Sequence, residues 1–308
     1  MNPGRDLILW AAGNRWLREH LPRYHFVRDT VDRFMPGERM EDAVEAAERL
    51  ATDGIPATLT YLGENVGTAA GADAVADHYL RLLDLIEERG LDAEISVKPT
   101  HLGLDLDPGA TYQRLRALAA RSATLERHLF LDMESAAYVE PTLALYRRLL
   151  EEFERTGVCI QAYLRRTPTD MADLLAAGGS VRLVKGAYRE PKEVAIGDRA
   201  KIRSVFGRLA FEFLRWGGGG RLALATHDVG LLTEIERRAA AAGFERDAYE
   251  VQMLYGIRVA DQRRLAREGY RVRVLIAYGT HWYPWFMRRL AERPANVWFA
   301  LRNLIARR

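Results

Sequence analysis

The sequence is nearly devoid of cysteine, and this absence excludes two classes of protein. Its 308 residues include one cysteine, Cys159, so neither an intrachain disulfide nor a cysteine-rich zinc module can form. Cys159 lies in an apolar stretch, where a buried small hydrophobe is the ordinary interpretation. No His-x-His follows the first predicted strand and no His-Glu-x-x-His occurs, so we expect no metal site.

Long apolar runs and a strong excess of one charge are also missing. No run approaches the roughly 20 residues that span a bilayer. The short apolar run at residues 7–12 lacks a clear cleavage site, which predicts a soluble, cytoplasmic protein without a signal peptide. Lys and Arg number 45 against 42 Asp and Glu, a net charge of +3. So small a surplus argues against a nucleic-acid partner.

The sequence does contain an alternation of short apolar runs with helix-like segments. The eight runs are residues 55–59, 94–97, 128–131, 158–161, 181–184, 222–225, 249–252 and 272–276. Their nearly continuous hydrophobicity is typical of parallel strands that are covered on both faces. Eight strands, each followed by a helix, predict an α/β fold of the (βα)8 barrel type. The alternative is a doubly wound open sheet, which the missing Gly-rich phosphate fingerprint after the first strand disfavours.

The same pattern predicts the organisation of the chain. We expect one domain overall, in which residues 1–54 form extra N-terminal helices packed on a barrel of residues 55–308. Two helices have recognisable starts, because Asp107-Pro108 and Thr167-Pro168 each place a capping side chain before a proline. Gly178-Gly179 then predicts the end of the second helix.

Polar residues follow almost every predicted strand. In a (βα)8 barrel the active site is built from these carboxyl ends. Lys98 alone could be a snorkelling lysine, Asp132 a helix cap and His227 a structural histidine. Their convergence on one rim favours a ligand site instead. The polar set comprises Glu64, Lys98, Asp132, Gln161, Arg182, Lys185, Thr226, His227 and Gln252, with Arg288 and Arg289 in the last helix.

The residue types indicate what this site binds. Lys98 with Arg288 and Arg289 forms an excess of cationic donors that matches a carboxylate. Asp132 and Glu64 provide counter-charges for these cations. The remaining donors and acceptors exceed the needs of a small acid, which predicts a second, larger ligand with heterocycle edges and phosphates, a cofactor.

Four motifs, in this order, resemble those of proline dehydrogenase. They are residues 131–134 (Leu-Asp-Met-Glu), 182–188 (Arg-Leu-Val-Lys-Gly-Ala-Tyr), 225–228 (Ala-Thr-His-Asp) and 252–256 (Gln-Met-Leu-Tyr-Gly). The similarity covers nearly the whole chain and is greatest to the short monofunctional bacterial enzymes. It implies a distorted (βα)8 barrel that binds FAD without a covalent bond. It also implies oxidation of L-proline to Δ1-pyrroline-5-carboxylate, the first step of proline catabolism to glutamate, with reoxidation by a membrane quinone.

The resemblance further implies roles for individual residues. Arg288 and Arg289 match the pair that binds the proline carboxylate, with Lys98 assisting and Asp132 close to that lysine. Glu292 matches an acid beside the ring, and Glu64 is placed to pair with Arg289 in a gate. Tyr188 and Leu254 match residues that shape the pocket. The residues that match flavin-contacting positions are Met133, Gln161, Arg182, Val184, Lys185, Gly186, Ala187, Thr226, His227, Gln252 and Met253.

Two positions depart from the family pattern. Family members often have tyrosine where Leu275 and Trp285 stand, and the loss of a hydroxyl loosens discrimination against ring-hydroxylated analogues. Tyr278 is the residue that we expect to supply a hydroxyl in their place.

Electron transfer to a quinone implies transient contact with a membrane surface, so we expect peripheral, salt-sensitive association with its inner face. A Δ1-pyrroline-5-carboxylate dehydrogenase is a further expected partner. The alternative function is that of a class I aldolase-like lyase, with Lys185 as the Schiff base.

Overall fold

Eight parallel strands close into a barrel in which each strand pairs with its neighbour in sequence. The computed structural model describes residues 31, 33–283 and 285–287. The strands are β1 (Ala57–Tyr61), β2 (Ala93–Val97), β3 (Leu129–Leu131), β4 (Thr156–Gln161), β5 (Ser180–Val184), β6 (Leu222–Ala225), β7 (Glu250–Leu254) and β8 (Arg271–Tyr278). The barrel prediction is therefore confirmed, and the open-sheet alternative is wrong.

Helices lie between the strands throughout the described residues. They are α1 (Met40–Ala51), α2 (Ala69–Glu88), α3 (Pro108–Thr124), α4 (Val139–Glu152), α5 (Thr167–Ala176), α6 (Arg199–Trp216), α7 (Val229–Ala241) and α8 (Val259–Arg267). Short 3-10 helices occur at Pro99–Leu102, Ala136–Tyr138 and Arg246–Ala248. The second and third strands are each followed by one of these short helices before the long helix begins.

The barrel closes where β8 pairs with β1, from Ala57 opposite Val274 to Tyr61 opposite Tyr278. α1 packs against these two strands, although it precedes β1 in the chain. A regular (βα)8 barrel has the helix that follows its last strand at this place. The described residues that follow β8 pack instead at the carboxyl end of the barrel. The division at residue 54 stays a prediction.

Each strand presents one set of side chains to the helices and the other to the barrel interior. On β2, residues 93, 95 and 97 belong to the apolar core between strands and helices. Residues 94, 96 and 98 alternate with them and are polar, although all three are buried. Because side chains alternate along a strand, this second set lines the interior of the barrel. The interior is therefore unusually polar, and it leads directly to the carboxyl end.

One predicted helix start is confirmed and the other needs correction. The Asp107 carboxylate caps α3, since its Oδ1 accepts hydrogen bonds from the backbone N–H groups of Gly109 and Ala110. Thr167 does not cap α5, because the capping position is Arg166. The buried Thr167 hydroxyl instead donates to the carbonyl of Gln161 at 2.6 Å. It ties the start of α5 to the end of β4.

The described helices include none that is long and apolar enough to cross a membrane. Within the same residues, no group of three or more His, Cys, Asp or Glu side chains could hold a metal ion. Cys159 is a free, buried thiol on β4, and burial raises its pKa to about 12.

Candidate active site

Lys98 lies at the carboxyl end of β2 and points into the barrel. It is 8% exposed, and it precedes the 3-10 helix that begins at Pro99. Its Nζ lies 3.8 Å from Oε1 of Glu64, which follows β1. Within the described part of the chain this is the one ion pair of the ammonium group. A buried cation whose ion pair is as long as 3.8 Å can accept an anionic ligand.

Asp132 and Arg182 form an ion pair beside this lysine. Asp132 follows β3, and its Oδ1 accepts hydrogen bonds from Arg182 Nη1 at 2.9 Å and Ser96 Oγ at 2.7 Å. Arg182 is 2% exposed, and its guanidinium group lies 4.4 Å from the centre of the Phe130 ring. Contacts on several sides therefore fix this guanidinium group inside the barrel.

Gln252 on β7 holds the other edge of the same guanidinium group. Its side-chain oxygen accepts a hydrogen bond from Arg182 Nε at 2.6 Å. Its amide nitrogen donates to Glu250 Oε1, also at 2.6 Å. Glu250 lies two residues earlier on the same strand and therefore on the same interior face.

Gln161 at the end of β4 carries a buried oxygen that can accept a hydrogen bond from a ligand. Its amide nitrogen donates to the carbonyl of Glu134 at 3.1 Å and reaches that of Met133 at 3.5 Å. Its Oε1 has no hydrogen-bond partner among the described residues. Such a buried orphan oxygen is costly unless a bound molecule satisfies it.

Glu134 is a buried carboxyl group close to Lys98. Its oxygens accept hydrogen bonds from the hydroxyl and the backbone N–H of Thr100. Burial raises the pKa of Glu134 to about 7, although the hydrogen bonds from Thr100 and the charge of Lys98 oppose that shift. The carboxyl group thus titrates near neutral pH.

A second polar cluster lies at the carboxyl ends of β5 and β6. Lys185 Nζ and Arg203 Nη1 both donate to Oδ2 of Asp228, at 2.8 and 2.5 Å. Burial alone would raise the pKa of Asp228, but these two hydrogen bonds hold it well below its usual range. The hydroxyl oxygen of Thr226 accepts from the backbone N–H of Asp228.

Gly186 links this cluster to β4. Its φ of 110° is unfavourable for residues with a side chain, and a Cβ atom there would overlap the Tyr163 ring. Residues 184–188 are half-exposed at this point, and Val184 pairs with Gln161. This is a place where a flat ligand can approach the main chain closely.

An apolar wall completes the carboxyl end of the barrel. Leu254 and Leu275 pack against a cluster that includes Leu62, Trp285 and Phe286. Residues 285–287 have helical backbone and lead directly to positions 288 and 289. Arg288, Arg289 and Glu292 lie outside the described residues, so their predicted roles and the predicted Glu64–Arg289 gate stay predictions.

Tyr278 requires a correction. On β8 it lies on the same face as Val274 and Ile276, which belong to the core between strands and helices. Its hydroxyl group lies 2.8 Å from Nε2 of His78 on α2, and burial lowers the pKa of His78 to about 4. Tyr278 thus contacts α2 outside the barrel, and it cannot supply the hydroxyl that Leu275 and Trp285 lack.

The structure brings the other predicted residues that it describes together at one end of the barrel. Lys98 and Glu64 form one contact pair, and Asp132, Arg182 and Gln252 form a connected chain. The remaining predicted residues at this end are Met133, Gln161, Val184, Lys185, Gly186, Ala187, Tyr188, Thr226, His227, Met253 and Leu254. They follow or end strands β3 to β7.

Sequence reasoning missed Ser96, Glu250 and Asp228, which contact predicted residues, and Arg203, which contacts Asp228. For Ser96 and Glu250 a signal existed, since each lies two residues before a predicted site residue on the same strand and so on the same face.

Comparison with known proteins identifies the family. The sequence model of the proline dehydrogenase family matches residues 43–302. Proline dehydrogenase 1 of Bacillus subtilis strain 168 is 37% identical over 301 residues, which cover 98% of this chain and 99% of that one. The proline dehydrogenase of Deinococcus radiodurans is 37% identical over 280 residues, 89% of this chain and 90% of that one.

The chain belongs to the proline dehydrogenase family. The architecture agrees with a solved structure, proline utilization A (PutA) from Bdellovibrio bacteriovorus inactivated by N-propargylglycine. Its TM-score is 0.79 at 24% identity, and the match covers 86% of this chain but 32% of the PutA chain. This likeness shows the fold, and this chain spans about a third of that larger protein.

Family membership does not favour the aldolase alternative, and neither does the environment of Lys185. The nitrogen that would form a Schiff base is already engaged, because Lys185 Nζ donates to Oδ2 of Asp228 at 2.8 Å.

Proposed function

We propose that this proline dehydrogenase family member binds FAD and oxidises L-proline to Δ1-pyrroline-5-carboxylate. In that reaction proline loses a hydride from C5 and the proton of its amine, and a C=N bond forms. The family assignment supports an oxidoreductase of proline catabolism. The observation that carries the finer proposal is the juxtaposition of a buried, weakly paired Lys98 with the fixed Asp132–Arg182–Gln252 chain.

The residues at the carboxyl end fit a flavin. The buried orphan oxygen of Gln161 would accept a hydrogen bond from a heterocycle edge, and the side chain of Arg182 would lie beside the ring system. The half-exposed backbone at Gly186 allows close approach, and Thr226 with Lys185 offers donors toward the phosphates. When bound, the flavin supplies the hydride acceptor of the reaction.

Lys98, together with Arg288 and Arg289, would bind the carboxylate of proline. A carboxylate that leaves water needs charged donors, and Lys98 is already desolvated within the barrel. Fixing the carboxylate orients the ring, which is the kind of positioning worth several orders of magnitude in effective molarity. Leu254 would form part of the apolar contact surface for the ring, with Tyr188 and Glu292 nearby in the proposed pocket.

The amine of proline must be neutral before hydride loss. The positive charges of Lys98 and Arg182 favour loss of its proton, so no strong base is needed. The rate of flavin reduction should therefore rise with pH through the titration of the substrate amine. A reductive half-reaction that is independent of pH over that range would contradict this account.

Leu275 and Trp285 bear on substrate choice. Leu275 packs in an apolar cluster with Trp285, and Tyr278 contacts α2 rather than this cluster. These positions thus place no tyrosine hydroxyl in the pocket wall. A hydroxylated ring therefore leaves no such hydroxyl group without a hydrogen-bond partner when it binds. We propose weak discrimination between proline and hydroxyproline, measured as the ratio of their kcat/KM values.

Electrons from the reduced flavin would pass to a membrane quinone, with the protein bound peripherally at the inner face of the membrane. Such association should weaken with salt, which sedimentation with anionic vesicles at low and high salt measures. The product is the substrate of a Δ1-pyrroline-5-carboxylate dehydrogenase, which we propose as the partner enzyme.

The decisive experiment is the visible absorption spectrum of the purified protein before and after anaerobic L-proline. We expect a flavin spectrum that proline bleaches. A protein without flavin absorption, or a flavin that proline does not reduce, would overturn the proposal.

Lys98→Met then tests the carboxylate contact. It should retain the flavin but raise KM for proline about tenfold, the loss of one charge-assisted hydrogen bond. Lys201→Met, the same change at an exposed position on α6, should leave KM within about twofold of wild type. Equal KM values in the two variants would remove Lys98 from the proposed site.

A further inference from the structure

Glu250 is a charged residue inside the barrel that none of the proposed roles uses. It is 6% exposed at the first position of β7, away from the carboxyl end. Its Oε1 accepts the hydrogen bond from Gln252 Nε2 at 2.6 Å, and its Oε2 accepts one from Arg273 Nε at 3.0 Å. Both oxygens of the carboxylate thus face donors.

The contacts of Gln252 determine the orientation of its side-chain amide. A glutamine amide has one accepting oxygen and one donating nitrogen, and the two ends can exchange places by rotation. Arg182 Nε requires an acceptor, so the oxygen of Gln252 must point toward it. Glu250 enforces that orientation, because its Oε1 can only accept and therefore binds the nitrogen end.

Only a group with two accepting oxygens can serve both donors at position 250. An amide there would offer its oxygen either to Arg273 or to Gln252, and its nitrogen would meet a donor at the other contact. If the oxygen served Arg273, Gln252 would rotate and turn its own nitrogen toward Arg182. The Arg182 guanidinium would then lose one of the hydrogen bonds that fix it.

We propose that Glu250 is a positioning residue, which fixes the amide of Gln252 and through it the guanidinium group of Arg182. The catalytic consequence of this inference rests on the proposed function, because that proposal puts Arg182 beside the flavin. Glu250 itself touches neither substrate nor cofactor. It acts from the interior of the barrel on a group at its carboxyl end.

The first test measures the amide itself and does not depend on flavin or turnover. The chain contains four glutamines, so side-chain 15N labelling of glutamine gives four NH2 pairs in an NMR spectrum of the full chain. The pair of Gln252 is assigned by its loss in Gln252→Met. In Glu250→Gln its hydrogen exchange should accelerate about tenfold, the equivalent of one lost hydrogen bond. Unchanged exchange in the folded variant would overturn the inference.

The second test uses the flavin-loaded enzyme. Glu250→Gln should lower kcat for proline about tenfold and leave KM within about twofold, because Arg182 is outside the proposed carboxylate contact. The flavin reduction potential should become more negative, since a positive charge near the ring is held less firmly. A change in KM with kcat intact would contradict the positioning role.

Thr58→Val is the matched control. Thr58 donates to Glu94 in the same buried layer and does not contact Gln252. Its removal should leave amide exchange, kcat and potential near wild-type values, and effects equal to those of Glu250→Gln would reduce Glu250 to a structural role. If no flavin is bound at all, the proposed function fails, whereas the amide exchange still decides the inference.

If Glu250→Gln does not fold, a double variant in which residues 250 and 252 exchange their side chains provides the test. In the double variant E250Q/Q252E, the carboxylate at 252 accepts from Arg182, and the amide at 250 donates to it while accepting from Arg273. The double variant should regain the folded state and most of the wild-type thermal midpoint. A double variant no more stable than the single one would overturn the inference.

Discussion

Single buried carboxyl groups in this barrel behave in opposite ways, according to what surrounds them. Glu134 has a hydroxyl and a backbone N–H as hydrogen-bond partners, and burial dominates, so its pKa rises to about 7. Glu94 is equally buried, but the charges of three arginines outweigh burial and hold its pKa well below its usual range. The number of nearby cations, rather than burial alone, decides the protonation state.

The raised pKa of Glu134 predicts a pH dependence of stability. The unfolded carboxyl ionises near its ordinary value of 4.5, whereas the folded one stays protonated until about pH 7. The folded state therefore binds the extra proton in this window, and its stability relative to Glu134→Gln should fall as pH rises, by about 1.4 kcal/mol per pH unit between roughly pH 5 and 7.

Urea unfolding of the wild type and Glu134→Gln at pH 5, 6, 7 and 8 measures this difference. The two proteins should be most alike at pH 5, and the variant should be the more stable at pH 8. Thr142→Val, at a buried hydroxyl on α4, controls for loss of a buried polar group without titration. Parallel pH profiles for wild type and Glu134→Gln would contradict the prediction.

The secondary elements show how much of the fold the sequence determines locally. All eight strands lie where nearly continuous apolar runs predict them. The outer face of each strand packs against helices, and that face at least requires apolar residues. Asp107 was identifiable as a cap, since it precedes a proline at the start of a helix. Thr167 has the same local sequence, but tertiary contact with the end of β4 takes its hydroxyl away from the helix.

The candidate site was predictable only in part, because tertiary contacts also decide where some of its side chains lie. Residues that end strands, such as Lys98 and Asp132, could be found from the fold alone. The destination of Tyr278 depends on which face of β8 it occupies and on the partner His78 on α2. The role of Glu250 depends on the direction of a hydrogen bond from Gln252. The strand period places Glu250 on the same face as Gln252, but neither the direction of their hydrogen bond nor the pairing of Tyr278 with His78 has a signal in the local sequence.

The Asp107 cap predicts a measurable contribution of one helix end. Asp107→Ala leaves two backbone N–H groups of α3 without their side-chain acceptor and should lower the free energy of unfolding by about 1 kcal/mol. Asp107→Asn retains an accepting oxygen and should stay within a few tenths of a kcal/mol of wild type, roughly. Chemical unfolding of the three proteins compares them, and equal losses for Ala and Asn would contradict a capping role.

At the scale of the whole molecule, the two ends of the barrel have different tasks. The carboxyl end holds the candidate active site, whereas the interior near the amino end contains a charge network around Glu94. Glu94 on β2 accepts hydrogen bonds from Thr58 on β1 and from Arg221, which precedes β6. Arg273 on β8 lies 3.8 Å from it and also binds Glu250 on β7. The network thus joins strands from opposite sides of the barrel, which sequential strand pairing alone does not do.

This network predicts that loss of one buried charge weakens the entire barrel. Glu94→Gln leaves Arg221 and Arg273 with less compensation inside the protein, so it should lower the free energy of unfolding at pH 7 by about 3 to 5 kcal/mol. Because the folded pKa of Glu94 is depressed, its stabilisation is present above pH 4.5 and is lost as pH falls toward the folded pKa. The difference in the free energy of unfolding between wild type and variant should therefore shrink in acid.

Urea unfolding at pH 7, 4 and 3 measures this difference. Thr58→Val is the control, because it removes one hydrogen bond to the same carboxylate and costs about 1 kcal/mol. A Glu94→Gln protein as stable as Thr58→Val at pH 7 would mean that the arginines find other partners and that the charge of Glu94 does not hold the barrel together.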